Sequence, residues 1–424
     1  MWMVFCHLNS PSMRLLSRQM GESMILSLSK KRLLPTVSHA KRRLCPPPAS
    51  LGCKEGQLTP LATPDMISPM NLGKIFAFVM AGGSGERFWP MSRQSTPKHL
   101  LRLIDEHTLL ETTLRRLEGL VSLENTFILT NAAQLESIKS AVPFLAEKNI
   151  IAEPAKRDTA PACALATAIA RAFDPDAVCI VLPADAMIHD TEKFRSCLSD
   201  AVDLAARTGT IATLGIPPTF PATGYGYLET AEALAQGPLG SSIRALRRFV
   251  EKPELDQARQ YIAAGNFLWN SGIFVWRASA FLDEARRQLP PLAEFIESMQ
   301  SINDLSSHLA TRFVTLPKIS VDYAIMENAK SIATVLASFD WDDVGAWTAL
   351  PAHIPPDAEG NCKRGSVVQH GSRDNIAVSN GRLIALCGVD NLVVVETPDA
   401  ILVCDKNSVQ DVKALQSLLP AELK

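Results

Sequence analysis

The chain has 424 residues, 47% of them hydrophobic, with 42 Lys+Arg against 44 Asp+Glu. At roughly 100–200 residues per domain, this length suggests two to four structural units with a large buried core. The net charge of −2 argues against a nucleic-acid-binding protein, because phosphate contacts demand a basic surface.

Residues 1–70 differ in character from the rest of the chain. They hold nine Lys/Arg against three Asp/Glu, whereas residues 71–424 hold 33 against 41. Their apolar stretches are far shorter than the roughly 20 residues that a membrane span needs, so we expect no membrane association. We interpret 1–70 as a dispensable or misassigned extension, with the start at Met66 or Met70. A targeting leader and a disordered tail are the alternatives.

The nine cysteines form neither a CxxC pair nor a Cys/His cluster with zinc spacing. Several lie in apolar runs, where a free thiol behaves as a small core residue. This usage predicts a reduced, cytoplasmic protein.

From residue 71 the pattern predicts an α/β fold with a doubly wound, mostly parallel sheet. Continuous apolar runs at 75–80, 126–130, 150–152 and 178–182 predict strands buried on both faces, and they alternate with helical patterns at 109–120, 132–141 and 159–172. Ligands of such sheets bind at the carboxyl ends of the strands. The glycine loop 82–85 and Asp185 both fall at such ends.

Two later regions differ from this pattern. Shorter strands between 210 and 276 predict an insertion that covers the sheet. After residue 356, short β-branched segments at 365–370, 375–379, 383–387, 392–396 and 400–404 predict a small β-rich unit, closed by a helix at 409–419. We therefore divide the chain into a leader (1–70), a main domain (71–355) and a β-rich C-terminal domain (356–424).

The glycine loop Gly82-Gly83-Ser84-Gly85 directly follows the first predicted strand. Its glycines let backbone N–H groups approach an anion closely, although an ordinary strand-to-helix turn would also use them. It is neither a GxGxxG nor a GxxxxGK[ST] motif. Arg87, Arg93 and Lys98 follow closely, and this concentration of cations favours phosphate binding.

A series of motifs in the chain resembles the sugar-phosphate nucleotidylyltransferases, most closely those that use GTP and mannose 1-phosphate. The segments that carry the resemblance are 78–98, 153–161, 183–185, 223–227, 249–253, 269–272, 320–327 and 341–347, in this order. The resemblance implies a Rossmann-like nucleotidyltransferase fold. It also implies guanylyl transfer from GTP to α-D-mannose 1-phosphate, giving GDP-mannose and pyrophosphate by direct in-line attack on the α-phosphorus.

The resemblance also implies roles for individual residues. They are catalytic Arg87, Lys98 and Lys252; nucleotide-binding Gly82, Gly83, Ser84, Gly85, Arg157 and Asp158; sugar-phosphate-binding Gly224, Glu251, Lys252 and Asn270; and Mg²⁺ ligands Asp185 and Asp343, with Asp342 as a competitor for the second carboxylate. Carboxylate and phosphate oxygens suit this hard cation.

Three positions depart from the family pattern: Glu86 replaces a usual Thr, Asp158 a usual Asn, and Ala186 a usual His. They leave open another hexose 1-phosphate or nucleotide. A non-catalytic nucleotide-sugar sensor is a further alternative, but the retention of Asp185, Asp343, Arg87, Lys98 and Lys252 argues against it. A nicotinamide oxidoreductase is disfavoured because the GxGxxG motif is missing. Because the chain ends at Lys424, we expect no cupin-like isomerase domain and no mannose 6-phosphate isomerase activity. The β-rich unit is expected to pack on the main domain or on a second subunit of a homodimer.

Overall fold

The computed structural model describes residues 73–424, so the leader predicted at 1–70 lies outside the described residues. Nine strands of the main domain form one sheet: β1 (Ile75–Met80), β2 (Thr126–Asn131), β3 (Ile150–Glu153), β4 (Val178–Pro183), β5 (Ile211–Ile216), β6 (Tyr227–Gln236), β7 (Ser242–Val250), β8 (Phe267–Arg277) and β9 (Ile332–Leu336). Their spatial order is β3-β2-β1-β4-β8-β5-β9-β7-β6. β1 to β4 pair in parallel, as does β5 with β9, whereas every antiparallel ladder of this described sheet involves β6, β7 or β8.

In the described part of the main domain, nine helices accompany the sheet: α1 (Leu109–Arg116), α2 (Leu135–Ala141), α3 (Thr159–Phe173), α4 (Thr191–Thr208), α5 (Leu255–Ala264), α6 (Ala278–Gln288), α7 (Pro290–Ser298), α8 (Leu305–Thr311) and α9 (Val321–Ala324). Successive residues of a strand point to opposite faces, so Ala77 and Val79 pack with α1, α2 and α4, while Phe76 and Phe78 pack with α3, α6 and α7. The predicted α/β architecture is confirmed. None of the helices within residues 73–424 is both long and apolar enough to cross a bilayer.

The predicted insertion at 210–276 is wrong, because β5 and β8 lie in the middle of the sheet. All six residues of β5 are buried, which is the pattern of a strand covered on both faces. β8 runs antiparallel to both β4 and β5. Only β6 and β7 extend to the far edge, where they pair as an antiparallel ladder.

The C-terminal residues form a β-rich unit of mostly parallel rungs: β10 (Cys362–Arg364), β11 (Val367–His370), β12 (Ile376–Ser379), β13 (Ile384–Cys387), β14 (Leu392–Glu396) and β15 (Ile401–Asp405). β10, β12 and β14 stack in parallel, β11 stacks on β13, and β15 returns antiparallel. At one corner the buried Asn375 donates from Nδ2 to Asn361 Oδ1 at 2.9 Å, which satisfies polar groups inside the stack. The closing element is shorter than predicted: a 3₁₀ segment, Lys406–Asp411, runs into a single helical turn, α10 (Val412–Leu415).

A third apolar cluster joins this unit to the turn after the glycine loop. Phe88 and Trp89 pack there with Trp347, Val409 and Val412. The Trp347 ring is fully buried, meets Phe88 edge-on at 5.0 Å, and donates from Nε1 to the carbonyl oxygen of Trp89 at 3.1 Å. The β-rich unit therefore holds the loop from outside the sheet.

Trp347→Phe is expected to lower the free energy of unfolding by about 1–3 kcal/mol, because it leaves the buried Trp89 carbonyl without its donor. Urea unfolding monitored by circular dichroism measures the loss. Trp269→Phe is the matched control, since Trp269 is also buried but its Nε1 has no hydrogen-bond partner among the described residues. An equal or greater loss in the Trp269 variant would contradict this assignment of the stability to the hydrogen bond.

Candidate active site

A cavity of about 500 Å³, here called the central pocket, opens at the carboxyl ends of β1 and β4. It brings together most of the residues singled out in the sequence: Ser84, Gly85, Arg87, Lys98, Asp185, Gly224, Glu251, Asn270 and Asp343 all line it. They come from distant parts of the chain, and the sheet topology gathers them at one edge.

The glycine loop contributes only its second half to the pocket. Gly85 has φ +65°, and a Cβ there would lie 2.2 Å from the Cβ of Lys98, so only glycine allows this close approach. Gly82 and Gly83 stand outside the lining. Their carbonyl oxygens accept hydrogen bonds from Asn131 Nδ2 at 3.4 Å and Gln134 Nε2 at 3.3 Å, respectively. These bonds fix the backbone that leads into the pocket.

Lys98 contacts both predicted metal-binding residues, Asp185 through its carboxylate and Asp343 through its backbone. The residue is only 6% exposed, and its Nζ donates to Asp185 Oδ2 at 2.9 Å and to the backbone carbonyl of Asp343. A buried ammonium group is stable only where such acceptors surround it. Arg87, by contrast, lies exposed at the rim.

Asp343, and not Asp342, faces the central pocket. Tyr225 donates from its hydroxyl to Asp343 Oδ1 at 2.5 Å. Burial raises the pKa of Asp343, although the Tyr225 hydrogen bond and the charge of Lys98 act in the opposite direction. Asp342 instead accepts from the backbone N–H of Val344 at 2.7 Å and pairs with His353 Nε2 at 3.0 Å. Of the two competing carboxylates, Asp342 is thus already engaged in the turn.

Within residues 73–424, no group of three or more Asp, Glu, His or Cys side chains is arranged to hold a metal ion. Asp185 and Asp343 supply two carboxylates, and the two residues lie close together because Lys98 Nζ contacts both the Asp185 carboxylate and the backbone carbonyl of Asp343. Such a pair fits a hard divalent cation that takes its remaining ligands from phosphate oxygens and water. The donor set therefore fits a metal shared with a phosphate-bearing ligand.

A second group of polar residues also lines the pocket. Asn270 donates from Nδ2 to Asp322 Oδ1 at 3.3 Å, and a Cβ on Gly226 would lie 2.6 Å from Glu251 Oε2. Lys252 has φ +46° and its Nζ pairs with the Glu251 carboxylate, but it does not line the cavity. Its side chain is 61% exposed. These groups can both donate and accept hydrogen bonds, as hydroxyl recognition requires.

Burial, reinforced by the charge of Glu251, raises the pKa of Asp322 to about 6. The folded protein thus holds this proton up to a higher pH than the unfolded chain does. The contribution of Asp322 to the free energy of unfolding therefore falls as pH rises from about 4 through 6.

Asp322→Asn is expected to remove this loss. The stability of the variant relative to the wild type should rise by about 1 kcal/mol between pH 5 and pH 7.5. Urea unfolding at the two pH values measures it, with the exposed Asp256→Asn as a control that keeps the wild-type pH dependence. If the free energies of unfolding of Asp322→Asn and the wild type differed by the same amount at both pH values, the prediction would be wrong.

Arg157 and Asp158 do not meet the other predicted residues in the central pocket. The guanidinium group of Arg157 donates to the carbonyl oxygen of Val314. Asp158 has φ +72° and caps α3 by accepting from the backbone N–H of Thr159 at 2.9 Å. The next residue, Thr159, does line the pocket. The segment therefore reaches the site through the start of α3.

The pocket residues to which the sequence assigned no role include Tyr225, Asp322 and Lys413. Tyr225 and Asp322 lie within motifs that were recognised, so their polar side chains in those segments were an available signal. Lys413 lies in the closing segment of the β-rich unit, where nothing in the local sequence distinguishes it from a surface lysine.

Comparison with known proteins agrees with this arrangement. The sequence model described as nucleotidyl transferase matches residues 76–358, and a MannoseP isomerase/GMP-like beta-helix domain matches 365–418. The first of these matches covers more than half of the chain, which therefore belongs to the nucleotidyl transferase family.

Its relatives include proteins named mannose-1-phosphate guanylyltransferase. The enzyme of that name from Escherichia coli (strain K12) is 37% identical over 366 residues, which cover 83% of this chain and 75% of the relative. The alginate biosynthesis protein AlgA of Pseudomonas aeruginosa is 37% identical over 356 residues, 81% of this chain and 72% of the relative. A crystal structure named mannose-1-phosphate geranyltransferase, from Thermus thermophilus, is 34% identical with a TM-score of 0.72, over 81% of this chain and 99% of that one.

Proposed function

We propose that the protein transfers a guanylyl group from GTP to α-D-mannose 1-phosphate, giving GDP-mannose and pyrophosphate. The observation that carries the proposal is that Lys98, which contacts both Asp185 and Asp343, lines the same pocket as Glu251 and Asn270. Lys98 and the two aspartates suit a polyphosphate with its metal, whereas Glu251 and Asn270 suit the hydroxyls of a hexose. The relatives named above support the choice of guanine and mannose.

In the proposed reaction, a phosphate oxygen of the sugar phosphate attacks the α-phosphorus of GTP in line. A new P–O bond forms there as the bond to the pyrophosphate oxygen breaks, and the electron pair leaves with pyrophosphate. No protein nucleophile is needed, so the residues act by positioning and by neutralising charge. Lys98 and Arg87 would offset the charge that builds on the phosphate oxygens, and Lys252 would meet the sugar phosphate.

Nucleotidyl transferases in general use a divalent metal ion, and we propose Mg²⁺ held by Asp185 and Asp343. When bound, the ion would supply positive charge that helps to orient the phosphates and offset their charge. Tyr225 would keep the Asp343 carboxylate oriented through its hydroxyl, and Lys98 would do the same for Asp185. An asparagine in place of Asp185 or Asp343 would lack the negative charge that holds the ion.

The remaining assignments follow the two ends of the pocket. The backbone N–H groups of Ser84 and Gly85 would contact the triphosphate, and Gly82 and Gly83 would support the loop toward the base. Arg157 and Asp158 would act at the guanine end only through the start of α3. Glu251, Asn270 and the backbone of Gly224 would bind hexose hydroxyls.

Pyrophosphate release measures the proposal directly, across GTP, ATP, UTP and dTTP and with mannose, glucose and galactose 1-phosphates. The expected result is the highest kcat/KM for GTP with mannose 1-phosphate. A higher kcat/KM for another combination of nucleotide and sugar phosphate would change the proposed substrates but not the proposed reaction. Tight GTP or GDP-mannose binding without turnover for any pair would overturn the enzymatic proposal in favour of a nucleotide-sugar sensor.

A further inference from the structure

One lysine of the β-rich unit reaches into the central pocket. Lys413, on the single helical turn α10, lines the cavity together with the glycine-loop residues Ser84 and Gly85. Its Nζ lies 3.4 Å from Glu86 Oε2. The C-terminal unit therefore contributes a positive charge to a site otherwise built by the main domain.

The backbone at Lys413 is held firmly against the loop. Val409 and Val412, which precede Lys413 in the closing segment, are buried with Phe88 and Trp89. Trp89 donates from Nε1 to the carbonyl oxygen of Leu423 at 3.0 Å, which ties the end of the chain to the same place. Because close-packed interiors resist displacement, the root of the Lys413 side chain cannot drift away from the pocket.

The side chain itself is free to change partners. It is 64% exposed and Glu86 is 35% exposed, and an ion pair between such groups contributes little because water screens it. A triphosphate brings several negative charges to the same loop, against the single charge of Glu86. Charge-assisted bonds to phosphate oxygens are also among the stronger hydrogen bonds of proteins. An arriving triphosphate thus competes well for this ammonium group.

Lys98 and Lys413 differ in burial, and we therefore expect them to contact different phosphates. Lys98 is buried beside Asp185, at the end of the pocket where the α-phosphorus would react. Lys413 sits at the rim with Glu86 and Arg87. We infer that Lys413 leaves Glu86 to bind the outer phosphates of the nucleoside triphosphate, so that the β-rich unit supplies part of the nucleotide site. This rests on the proposed function only in taking a nucleoside triphosphate as the ligand.

Calorimetric titration of GTP into the protein with Mg²⁺ tests the inference without relying on turnover. Lys413→Met is expected to raise the dissociation constant of GTP about 5- to 20-fold, the effect of one charged hydrogen bond. The binding of mannose 1-phosphate should not change. Lys406→Met is the matched control on the same closing segment, because Lys406 does not line the pocket, and it should bind GTP as the wild type does. Equal GTP binding by Lys413→Met and the wild type would overturn the inference.

A double-mutant cycle with Glu86→Gln separates direct contact from simple neutralisation of Glu86. If Lys413 binds the phosphates, Lys413→Met weakens GTP binding in the Glu86→Gln background at least as much as in the wild type. If Lys413 only masks the Glu86 charge, its replacement has no effect in that background, and the inference fails. Because the contact is to phosphates, ATP and UTP serve equally well. A protein that binds these nucleotides but makes no GDP-mannose would refute the proposed function while still testing Lys413.

Discussion

Lys98→Met is expected to lower kcat/KM for GDP-mannose formation by about a thousandfold, the size seen when a preorganised charge is removed from a water-poor site. The ammonium group touches both Asp185 and the backbone of Asp343, and it is almost fully buried. Methionine keeps the length and apolar stem of lysine but neither its charge nor its donors. Pyrophosphate release under steady-state conditions measures the loss.

The control for this variant is Lys148→Met, an exposed lysine outside the central pocket, which should retain wild-type kcat/KM. Circular dichroism and the urea midpoint verify that Lys98→Met folds, since removal of the ammonium leaves Asp185 without its ion pair. A folded Lys98→Met protein with wild-type kcat/KM would refute the role of Lys98 and, with it, the catalytic interpretation of the pocket.

The α/β part of the fold could be predicted because its strands are continuous apolar runs. The runs at β1 and β4 are buried on both faces, and such a strand can be predicted from the local sequence without knowing its neighbours in the sheet. The same local signal placed the glycine loop and Asp185 at strand ends. Lys98 and Asp343 lie in the segments between strands, and their contact with Asp185 could not be read from the strand pattern alone.

Strand partners could not be predicted in the same way. A residue pattern tells which faces of β5 and β8 are buried, but not that β8 lies between β4 and β5 in antiparallel pairing. The short strands of the β-rich unit were found, whereas their parallel stacking was not, because each rung pairs with another 14 or more positions along the chain. The alternation of apolar and polar residues within one strand does not indicate which distant strand it pairs with.

The same limit applies to the site. Lys413 reaches the pocket only because Val409 and Val412 dock on Phe88 and Trp89, a contact between segments more than 300 residues apart. Arg157 illustrates the converse. Its motif suggested a nucleotide contact, but the backbone carbonyl of Val314, supplied by a distant segment, takes its guanidinium group. Spacing in a sequence identifies candidate residues, and the packing of remote segments decides which of them meet.

Asp343→Asn is expected to weaken divalent metal binding at least about tenfold and to lower kcat by about 10²–10³-fold, because the carboxamide keeps the shape but not the charge that a hard cation needs. Asp185→Asn should act similarly, since the two carboxylates share one end of the pocket. The affinity for Mn²⁺ in the presence of GTP, followed by electron paramagnetic resonance, reports metal binding apart from turnover.

Asp342→Asn is the matched control, because this neighbouring carboxylate is engaged by His353 and by the backbone N–H of Val344. Burial disfavours the charged form of Asp342, but those hydrogen bonds outweigh it and lower its pKa. The variant should therefore lose stability in urea while retaining Mn²⁺ affinity. If Asp342→Asn instead lost the metal and Asp343→Asn retained it, the second ligand would be Asp342, and the turn would have to rearrange when the metal binds. If Asp185→Asn and Asp343→Asn both kept the wild-type affinity for Mn²⁺, neither carboxylate would be a metal ligand. The contacts of Asp185 with Lys98 and of Asp343 with Tyr225 would then have a structural role only.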